Sequence, residues 1–254
     1  MNKVEMPKSQ VCTISTSQLK ELTSEVVKAV PDNMSRSIYD EWMKNRRSLR
    51  RGIRELLLPP ENQVPVIDAN PLIGQFAEEW EKHYCDEYEL KMDFSAVRVP
   101  IQRPGFGWLM FVAQGLACNQ VYTKCESLFP CWRYTEDLNA SVQGRNDREP
   151  TDHYAIWLRD RVEPDEELKG FSANQLAALG FSGNTLLEGL VLEPWHFKRT
   201  NGEHLNTANW NLCSGSRGSD GCVPCVRWSG GRFRVCDSSP GPAHGDLRSR
   251  PVVS

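Results

Sequence analysis

Four cysteines near the C-terminus have a spacing that could hold a metal ion. Cys213, Cys222, Cys225 and Cys236 form the pattern C-x8-C-x2-C-x10-C, and Cys-x2-Cys is a common zinc ligand pair. A zinc ribbon needs a second such pair, whereas Cys213 and Cys236 each stand alone. A structural zinc site therefore stays an alternative. So does a Cys225–Cys236 disulfide, which a reducing compartment would disfavour.

The segment 223–236 predicts a β-hairpin. Gly230-Gly231 is a two-residue turn of the kind that the primed hairpin types favour. Alternation of side chains on either side of this turn gives one apolar face. The pairs on that face are Trp228 with Phe233 and Val226 with Val235. We expect this face to pack against the core.

The other face of the hairpin is a poor choice for stability. Arg227 falls opposite Arg234, and Cys225 falls opposite Cys236. Like charges directly opposite each other on paired strands destabilise a sheet. Side chains that do not stabilise the fold are candidates for contact with a ligand, and arginine forks suit an acidic one.

Charge is distributed unevenly along the chain. The 254 residues carry a net charge of -3, but residues 214–254 hold six arginines, three aspartates and neither lysine nor glutamate, which gives them +3 and leaves -6 for the rest. The hydrophobic content of 39% and the charged content of 25% are typical of a globular protein. The basic C-terminal surface could attract acidic ligands, while the small net charge gives no general signal for a polyanionic partner.

Several classes of protein lack support in the sequence. No stretch approaches the roughly 18 apolar residues of a membrane span, and the first residues lack the apolar core of a signal peptide. We therefore expect a cytoplasmic protein with mostly reduced thiols and no membrane partner. A phosphate-binding glycine loop and a nucleophile elbow are also missing. The sequence thus predicts a protein that is not an enzyme, with no catalytic residues, no metal and no cofactor.

Two regions must position these residues, a helical N-terminal region over 1–90 and a second domain over 91–254. Apolar spacing predicts helices over 16–30, from Ser35 to the residues before Pro59, and over 72–88. A basic face on the second helix could contact nucleic acid, although a solvated helix surface is the simpler interpretation. The basic residues of this face are Lys44, Arg46, Arg47, Arg50, Arg51 and Arg54.

The second domain alternates short strands and helices. Strands are predicted at 97–100, 108–112 and 153–160, and helices at 115–128, after Ser172 and from 184 onwards. Ser172 and Gln175 fit a capping box. Pro194 is expected to kink or end the last helix.

A string of motifs over roughly residues 97–254 resembles an uncharacterised bacterial family that is frequent in candidate phyla. That family has no established activity. The longest matching motifs are Tyr154-Ala155-Ile156-Trp157-Leu158-Arg159-Asp160-Arg161-Val162-Glu163, Leu212-Cys213-Ser214-Gly215-Ser216-Arg217 and Leu247-Arg248-Ser249-Arg250. Shorter matches are Trp132-Arg133-Tyr134, Thr185-Leu186-Leu187-Glu188, Ser219-Asp220-Gly221 and Val252-Val253-Ser254.

The C-terminal layout is similar to the variable proteins of diversity-generating retroelements. In these systems a reverse transcriptase rewrites adenines in the 3′ end of a target gene, and the changed residues lie on a C-type-lectin-like fold. The resemblance implies an α+β protein, in which a helical N-terminal region precedes a C-type-lectin-like domain of short antiparallel strands with two or three helices. It implies a variable surface over about 214–254, where codons randomised at adenine yield Cys, Gly, Arg, Ser and His. The positions that fit are Gly218, Cys222, Cys225, Arg227, Ser229, Gly230, Arg232, Arg234, Cys236, Ser238 and His244.

The sequence as a whole therefore predicts a non-enzymatic ligand-binding protein. Its predicted binding residues are Cys222, Cys225, Arg227, Ser229, Arg232, Arg234, Cys236, Ser238 and His244. We expect a protein or a small molecule as the ligand, do not expect nucleic acid, and consider a homo-oligomer formed through the N-terminal helices. The alternative is a zinc-stabilised module that binds nucleic acid or an acidic protein partner.

Overall fold

A computed structural model describes residues 35–44, 63–65 and 71–254 of the chain. The chain divides into two compact units, with the boundary between Glu55 and Leu56. In the first unit the described part is helix α1 (Arg36–Lys44), which lies within the helix expected from Ser35. The helix expected over 16–30 and the basic residues at 46–54 lie outside the described residues.

The second unit combines helices and sheets, which confirms the α+β class. Its helices are α2 (Pro71–Tyr88), α3 (Cys118–Leu128), α4 (Leu138–Val142), α5 (Ala173–Ala178) and α6 (Leu186–Arg199). Its strands are β1 (Gln63–Pro65), β2 (Arg98–Pro100), β3 (Trp108–Val112), β4 (Cys131–Arg133), β5 (Tyr154–Leu158), β6 (Trp210–Leu212), β7 (Val223–Ser229), β8 (Arg232–Ser238), β9 (Leu247–Arg248) and β10 (Val252–Val253). Among the described residues, no helix is both long enough and apolar enough to cross a membrane.

The strands form a two-stranded ribbon and two larger sheets. The ribbon pairs β1 with β2, a three-stranded sheet has the order β10-β5-β3, and a five-stranded sheet has the order β4-β8-β7-β6-β9. Most neighbours are antiparallel, as expected, but β4 runs parallel to β8 and β9 runs parallel to β6. The five-stranded sheet contains the predicted hairpin, β7 and β8, at its centre.

Helix α2 is part of the core of the second unit, although it falls within the N-terminal region of the expected division at residue 90. Trp80 stacks on Trp195 of α6 with ring centroids 5.1 Å apart, and its indole N–H donates to the carbonyl of Leu109 at 2.8 Å. The hydroxyl of Tyr84 donates to the carbonyl of Phe111 at 3.0 Å. These buried aromatic residues fasten α2 to strand β3, so the unit begins well before residue 91.

Two helices begin where the sequence predicts, after Ser172 and near residue 184. The capping box at Ser172 and Gln175 forms at the start of α5, and Thr185 with Glu188 forms another at the start of α6. Helix α6 continues past Pro194 to Arg199, so of the two expected effects of this proline, a kink or an end, the end does not occur. Proline lacks the N–H that would bond to the carbonyl of Leu190. The thiol of Cys125 on α3 lies 4.0 Å from that carbonyl oxygen, and the burial of α6 favours an unbroken helix.

A buried ion pair joins the start of α6 to the preceding segments. The guanidinium of Arg148 donates to both carboxylate oxygens of Glu188, at 2.6 and 2.8 Å, and to the carbonyl of Gly183 at 2.7 Å. The hydroxyl of Tyr154 on β5 donates to the same carboxylate at 3.0 Å. Because Arg148 and Glu188 are both buried, each depends on the other for compensation of its charge.

Candidate functional site

The hairpin forms in the predicted register. Strands β7 and β8 pair Trp228 with Phe233, Val226 with Val235, Arg227 with Arg234 and Cys225 with Cys236. The turn residues Gly230 and Gly231 have φ angles of +60° and +73°, the left-handed values that a type I′ turn requires at both positions. Gly230, one of the positions predicted to be variable, therefore has a structural role in the turn.

The apolar face of the hairpin packs against the core of the second unit. Val226, Phe233 and Val235 are fully buried, and Trp228 packs partly buried against the same core. The Trp228 ring stacks on His204 at 3.3 Å between centroids, and His204 Nδ1 lies 2.7 Å from a carboxylate oxygen of Glu193. This chain of contacts ties the hairpin to helix α6 and confirms the prediction of an apolar inner face.

Four side chains form a row across the outer face of the five-stranded sheet, and we call this row the arginine strip. Its members in spatial order are Trp132 on β4, Arg234 on β8, Arg227 on β7 and Trp210 on β6. The guanidinium of Arg234 lies 6.0 Å from the ring centroid of Trp132, and that of Arg227 lies 5.8 Å from Trp210. Each arginine is therefore held by a cation–π contact on the side away from the other arginine.

The two arginines of the strip have carbonyl partners but no acidic ones. The Nε of Arg234 donates to the carbonyl of Ser229 at 3.3 Å, and a terminal nitrogen of Arg227 donates to the carbonyl of Thr207 at 3.3 Å. Within the described ranges, no carboxylate forms an ion pair with Arg227, Arg232 or Arg234. Ser229 and Arg232 pair beside the turn, so Arg232 adds a third positive charge next to the strip.

Other arginines of the basic C-terminal segment serve the fold instead. Arg248 and Arg250 are buried. Arg248 donates a hydrogen bond to Asn209 and forms an ion pair with Glu166 at 2.6 Å. Arg250 donates to the backbone carbonyls of Arg161 and Val162 and to the side chain of Asn206. The excess positive charge expected on the surface is thus concentrated on the hairpin.

An open depression of about 340 Å³ lies next to the strip on the same side of the sheet. Its lining residues are Trp210, Cys225, Cys236, Asp237, Ser238, His244, Asp246 and Leu247. Four of the nine predicted binding residues are among them. The depression therefore brings the hairpin together with the 244–247 segment, and it shares Trp210 with the arginine strip.

Cys225 is less accessible than predicted. It lies on the outer face, but only 3% of it is exposed, because the end of that face packs under a second apolar cluster that includes Ala173 and Leu176 of helix α5. Burial raises the pKa of the Cys225 thiol well above its ordinary value and also raises that of Cys236. Both thiols are therefore protonated at neutral pH, which makes them weak nucleophiles.

The four cysteines of the metal-like spacing do not converge on one site. Cys213 packs in the large core, whereas Cys225 belongs to the second cluster on the other side of the sheet. Cys225 and Cys236 are free thiols. The only metal-compatible group in the described part of the chain is Cys222 with Asp220 and Asp237, whose ligand atoms lie within 4.8 Å of one another. Asp220 already accepts the backbone N–H of Cys222 at 2.9 Å, and both aspartates are exposed.

Sequence patterns missed Trp132 and Trp210 as members of this surface, as well as Asp237, Asp246 and Leu247. Trp132 reaches the strip because β4 pairs in parallel with β8, and Leu247 reaches the depression because β9 pairs in parallel with β6. Parallel pairing joins segments that are distant in sequence, and strands of two or three residues carry too little alternation to reveal it. The one signal in the sequence was the tryptophan between Cys131 and Arg133, and its exposure is known only from the structure.

Similarity assigns no function to this surface. When the chain is compared with models of protein families, with curated proteins and with solved structures, it matches none of them.

Proposed function

We propose that this chain is a non-enzymatic ligand-binding protein whose binding surface is the outer face of the β7–β8 hairpin. One observation carries the proposal: Arg227 lies directly opposite Arg234, and neither has an acidic partner among the described residues. This arrangement costs stability and contributes little to the core. A ligand with negative charge would supply the missing partner for both guanidinium groups.

The shape of the surface is compatible with such a ligand. The depression of about 340 Å³ falls at the lower end of the range of about 300–1,000 Å³ that is usual for small-molecule sites. Its lining combines the apolar Trp210 and Leu247 with the polar Ser238 and His244 and with two carboxylates, Asp237 and Asp246. The negative group of the ligand is therefore expected on the arginine strip and the uncharged part in the depression. A ligand that spans the strip and the depression would find both apolar contact and directed hydrogen bonds, whether it is a small molecule or part of a protein.

We further propose that the chain is the variable protein of a diversity-generating retroelement and that its second domain has a C-type-lectin-like fold. Two observations support this. The α+β arrangement is compatible with that fold, and the hairpin separates a buried inner face from an outer face of arginine, serine and cysteine. Arginine, serine, glycine, cysteine and histidine are among the residues that randomised adenines in an asparagine codon produce. On the outer face, Arg227 and Arg234 pack in neither apolar cluster, whereas Cys225 does.

The retroelement proposal is tested on the gene and needs no protein. We expect a reverse-transcriptase gene nearby and a near-copy of the 3′ end of this gene. The two copies should differ chiefly where the near-copy has adenine, and the affected codons should include those of Arg227, Ser229, Arg232 and Arg234. Differences spread evenly over all four bases, or the lack of such a copy, would refute the proposal.

The N-terminal region has a role in this proposal as well. The sequence assigned this role to residues 1–90. Since α2 belongs to the core of the second unit, we propose that the first unit, Met1–Glu55, tethers or oligomerises the binding domain in the cytoplasm, so that several variable surfaces act together. Light scattering on the purified full-length chain should then give a mass that is a multiple of 28.9 kDa. A monomer at micromolar concentration would exclude oligomerisation through this region.

A further inference from the structure

We propose that the arginine strip binds a nucleoside monophosphate unit, with the phosphate between Arg227 and Arg234 and the base stacked on Trp132. This inference rests on the proposed function, because it presumes that the outer face of the hairpin is a binding surface. It adds the chemical class of the ligand.

The charge of the strip favours a phosphate monoester over a carboxylate. Two guanidinium groups on directly paired residues place about two positive charges in one small area. A phosphate monoester carries about -1.5 to -2 at neutral pH and offers three acceptor oxygens, so it can receive forked hydrogen bonds from both sides. A single carboxylate has one charge, and one guanidinium already satisfies its two oxygens.

The arginine geometry leaves donors available for such a group. Each of the two guanidiniums makes one hydrogen bond to a backbone carbonyl, to Ser229 or Thr207. The Nε of Arg227 is buried, so the donors of this residue that a ligand can reach are those of its terminal nitrogens. Because a guanidinium has five N–H donors, most of the donor capacity of the strip is uncommitted.

The two tryptophans provide surfaces for a planar ring. Trp132 is 41% exposed although it is a large aromatic residue in a strand, and it lies at one end of the strip beside Arg234. Stacking of bases on exposed aromatic side chains next to arginines is a general mode of nucleotide recognition. Trp210 is half-buried at the other end, which makes Trp132 the better platform.

The spacing of the strip distinguishes a nucleotide from an aryl phosphate. Neighbouring strands lie about 4.8 Å apart, so the midpoint between Arg227 and Arg234 is roughly 7 Å from Trp132. In an aryl phosphate the ring is attached to the phosphate oxygen directly, so a phosphate between the arginines would hold the ring too close to them to cover Trp132. In a nucleotide the sugar separates the phosphate from the base, which allows the phosphate to lie between the arginines while the base covers Trp132.

Isothermal titration of the full-length chain with AMP at low salt tests the proposal. Adenosine, inorganic phosphate, phenyl phosphate and a short single-stranded oligonucleotide serve as comparison ligands. We expect AMP to bind, with adenosine, phosphate and phenyl phosphate at least about 10-fold weaker, since each lacks one group or the spacing. The oligonucleotide has no terminal phosphate, so its phosphates are diesters with a single charge each. If it binds no better than AMP, the free nucleotide is the ligand; if it binds more tightly, the assignment of a phosphate monoester is wrong.

Variants locate the site. Arg227→Gln and Arg234→Gln should each weaken AMP binding about 10-fold or more, Trp132→Leu should remove the advantage of AMP over phosphate, and Trp132→Phe should restore part of it. Arg103→Gln, a charge-matched change in an exposed loop, should leave binding unchanged. If AMP does not bind at millimolar concentration, or binds equally well to the Arg227→Gln/Arg234→Gln chain, the inference is wrong.

These outcomes are separable from those of the proposed function. If the gene has an adenine-specific near-copy but the protein does not bind AMP, the proposal of a variable binding surface stands and only the proposed ligand class is wrong. If AMP binding depends on the strip but the gene has no such near-copy, the retroelement proposal is wrong and the proposed ligand class stands.

Discussion

Arg227 and Arg234 lie directly opposite each other on strands β7 and β8, and each guanidinium lies over a tryptophan on its far side. The cation–π contacts with Trp210 and Trp132 offset part of the repulsion between the arginines. They also hold the two guanidiniums in place rather than letting them turn away into solvent. The strip is thus an ordered cationic surface that the rest of the fold does not neutralise.

Substitutions on the two faces of the hairpin should have very different effects on stability. Arg234→Ser removes a like-charge contact as well as a cation–π contact, so we expect the free energy of unfolding to change by no more than about 0.5 kcal/mol. Phe233→Ala empties a fully buried site and should cost about 3–5 kcal/mol. Urea unfolding followed by tryptophan fluorescence measures both. A loss above about 2 kcal/mol for Arg234→Ser would show that the outer face stabilises the fold.

The buried pair of Arg148 and Glu188 should be essential to stability. Glu188→Gln keeps the size of the side chain but leaves the buried guanidinium uncompensated, and we expect it to lower the free energy of unfolding by about 3–5 kcal/mol. The matched control is Glu167→Gln, which breaks an exposed pair with Arg161 and should cost less than about 1 kcal/mol. Chemical denaturation of the three proteins compares them, and equal effects would argue against this role of the buried pair.

Zinc analysis discriminates between the ligand-binding proposal and the zinc-stabilised alternative. Because Cys213 and Cys225 pack in different clusters, we expect the purified chain to contain no stoichiometric zinc and to keep its melting temperature in the presence of EDTA. Cys236→Ser at its half-buried position should cost less than about 1 kcal/mol. One zinc ion per chain, lost together with the fold in Cys225→Ser or Cys236→Ser, would favour the alternative instead.

Stability should fall in mild acid because two histidines are buried in the neutral form. Burial lowers the pKa of His83 to about 4 and, together with Arg250 and Arg199, lowers that of His196 to about 4. In the unfolded chain both titrate near pH 6.5, so between about pH 6.5 and 4 the unfolded state binds more protons. The free energy of unfolding that these two histidines contribute is therefore fully present above pH 6.5. It decreases as the pH falls towards 4, by up to about 3 kcal/mol for each histidine.

Urea unfolding at a series of pH values from 7.5 to 4.5 measures this dependence. His196→Gln should flatten the curve, whereas His244→Gln, which changes an exposed residue, should leave its slope unaltered. A His196→Gln chain with an unchanged slope would rule out this histidine as a source of the acid sensitivity.

Local features of the fold were predictable because they depend on neighbouring residues. The hairpin register follows from Gly230-Gly231 and from the alternation on either side of it. The capping boxes at Ser172 and Thr185 follow from short-range hydrogen bonds. Helix α6 does not end at Pro194, since the local preference of proline is opposed by the packing of a buried helix, and tertiary packing routinely outweighs such preferences.

The sequence by itself determined that the hairpin has one face for the core and one with opposed arginines, because the two-residue period of a strand requires no partner. Only the tertiary structure decided what surrounds that outer face. An apolar cluster that includes residues of helix α5 buries Cys225, and β4 brings Trp132 to Arg234. The chain buries Arg248 and Arg250 while leaving Arg227 and Arg234 without acidic partners among the described residues. These features depend on contacts between segments that are distant in sequence, and a local sequence pattern carries no information about the stability of such contacts.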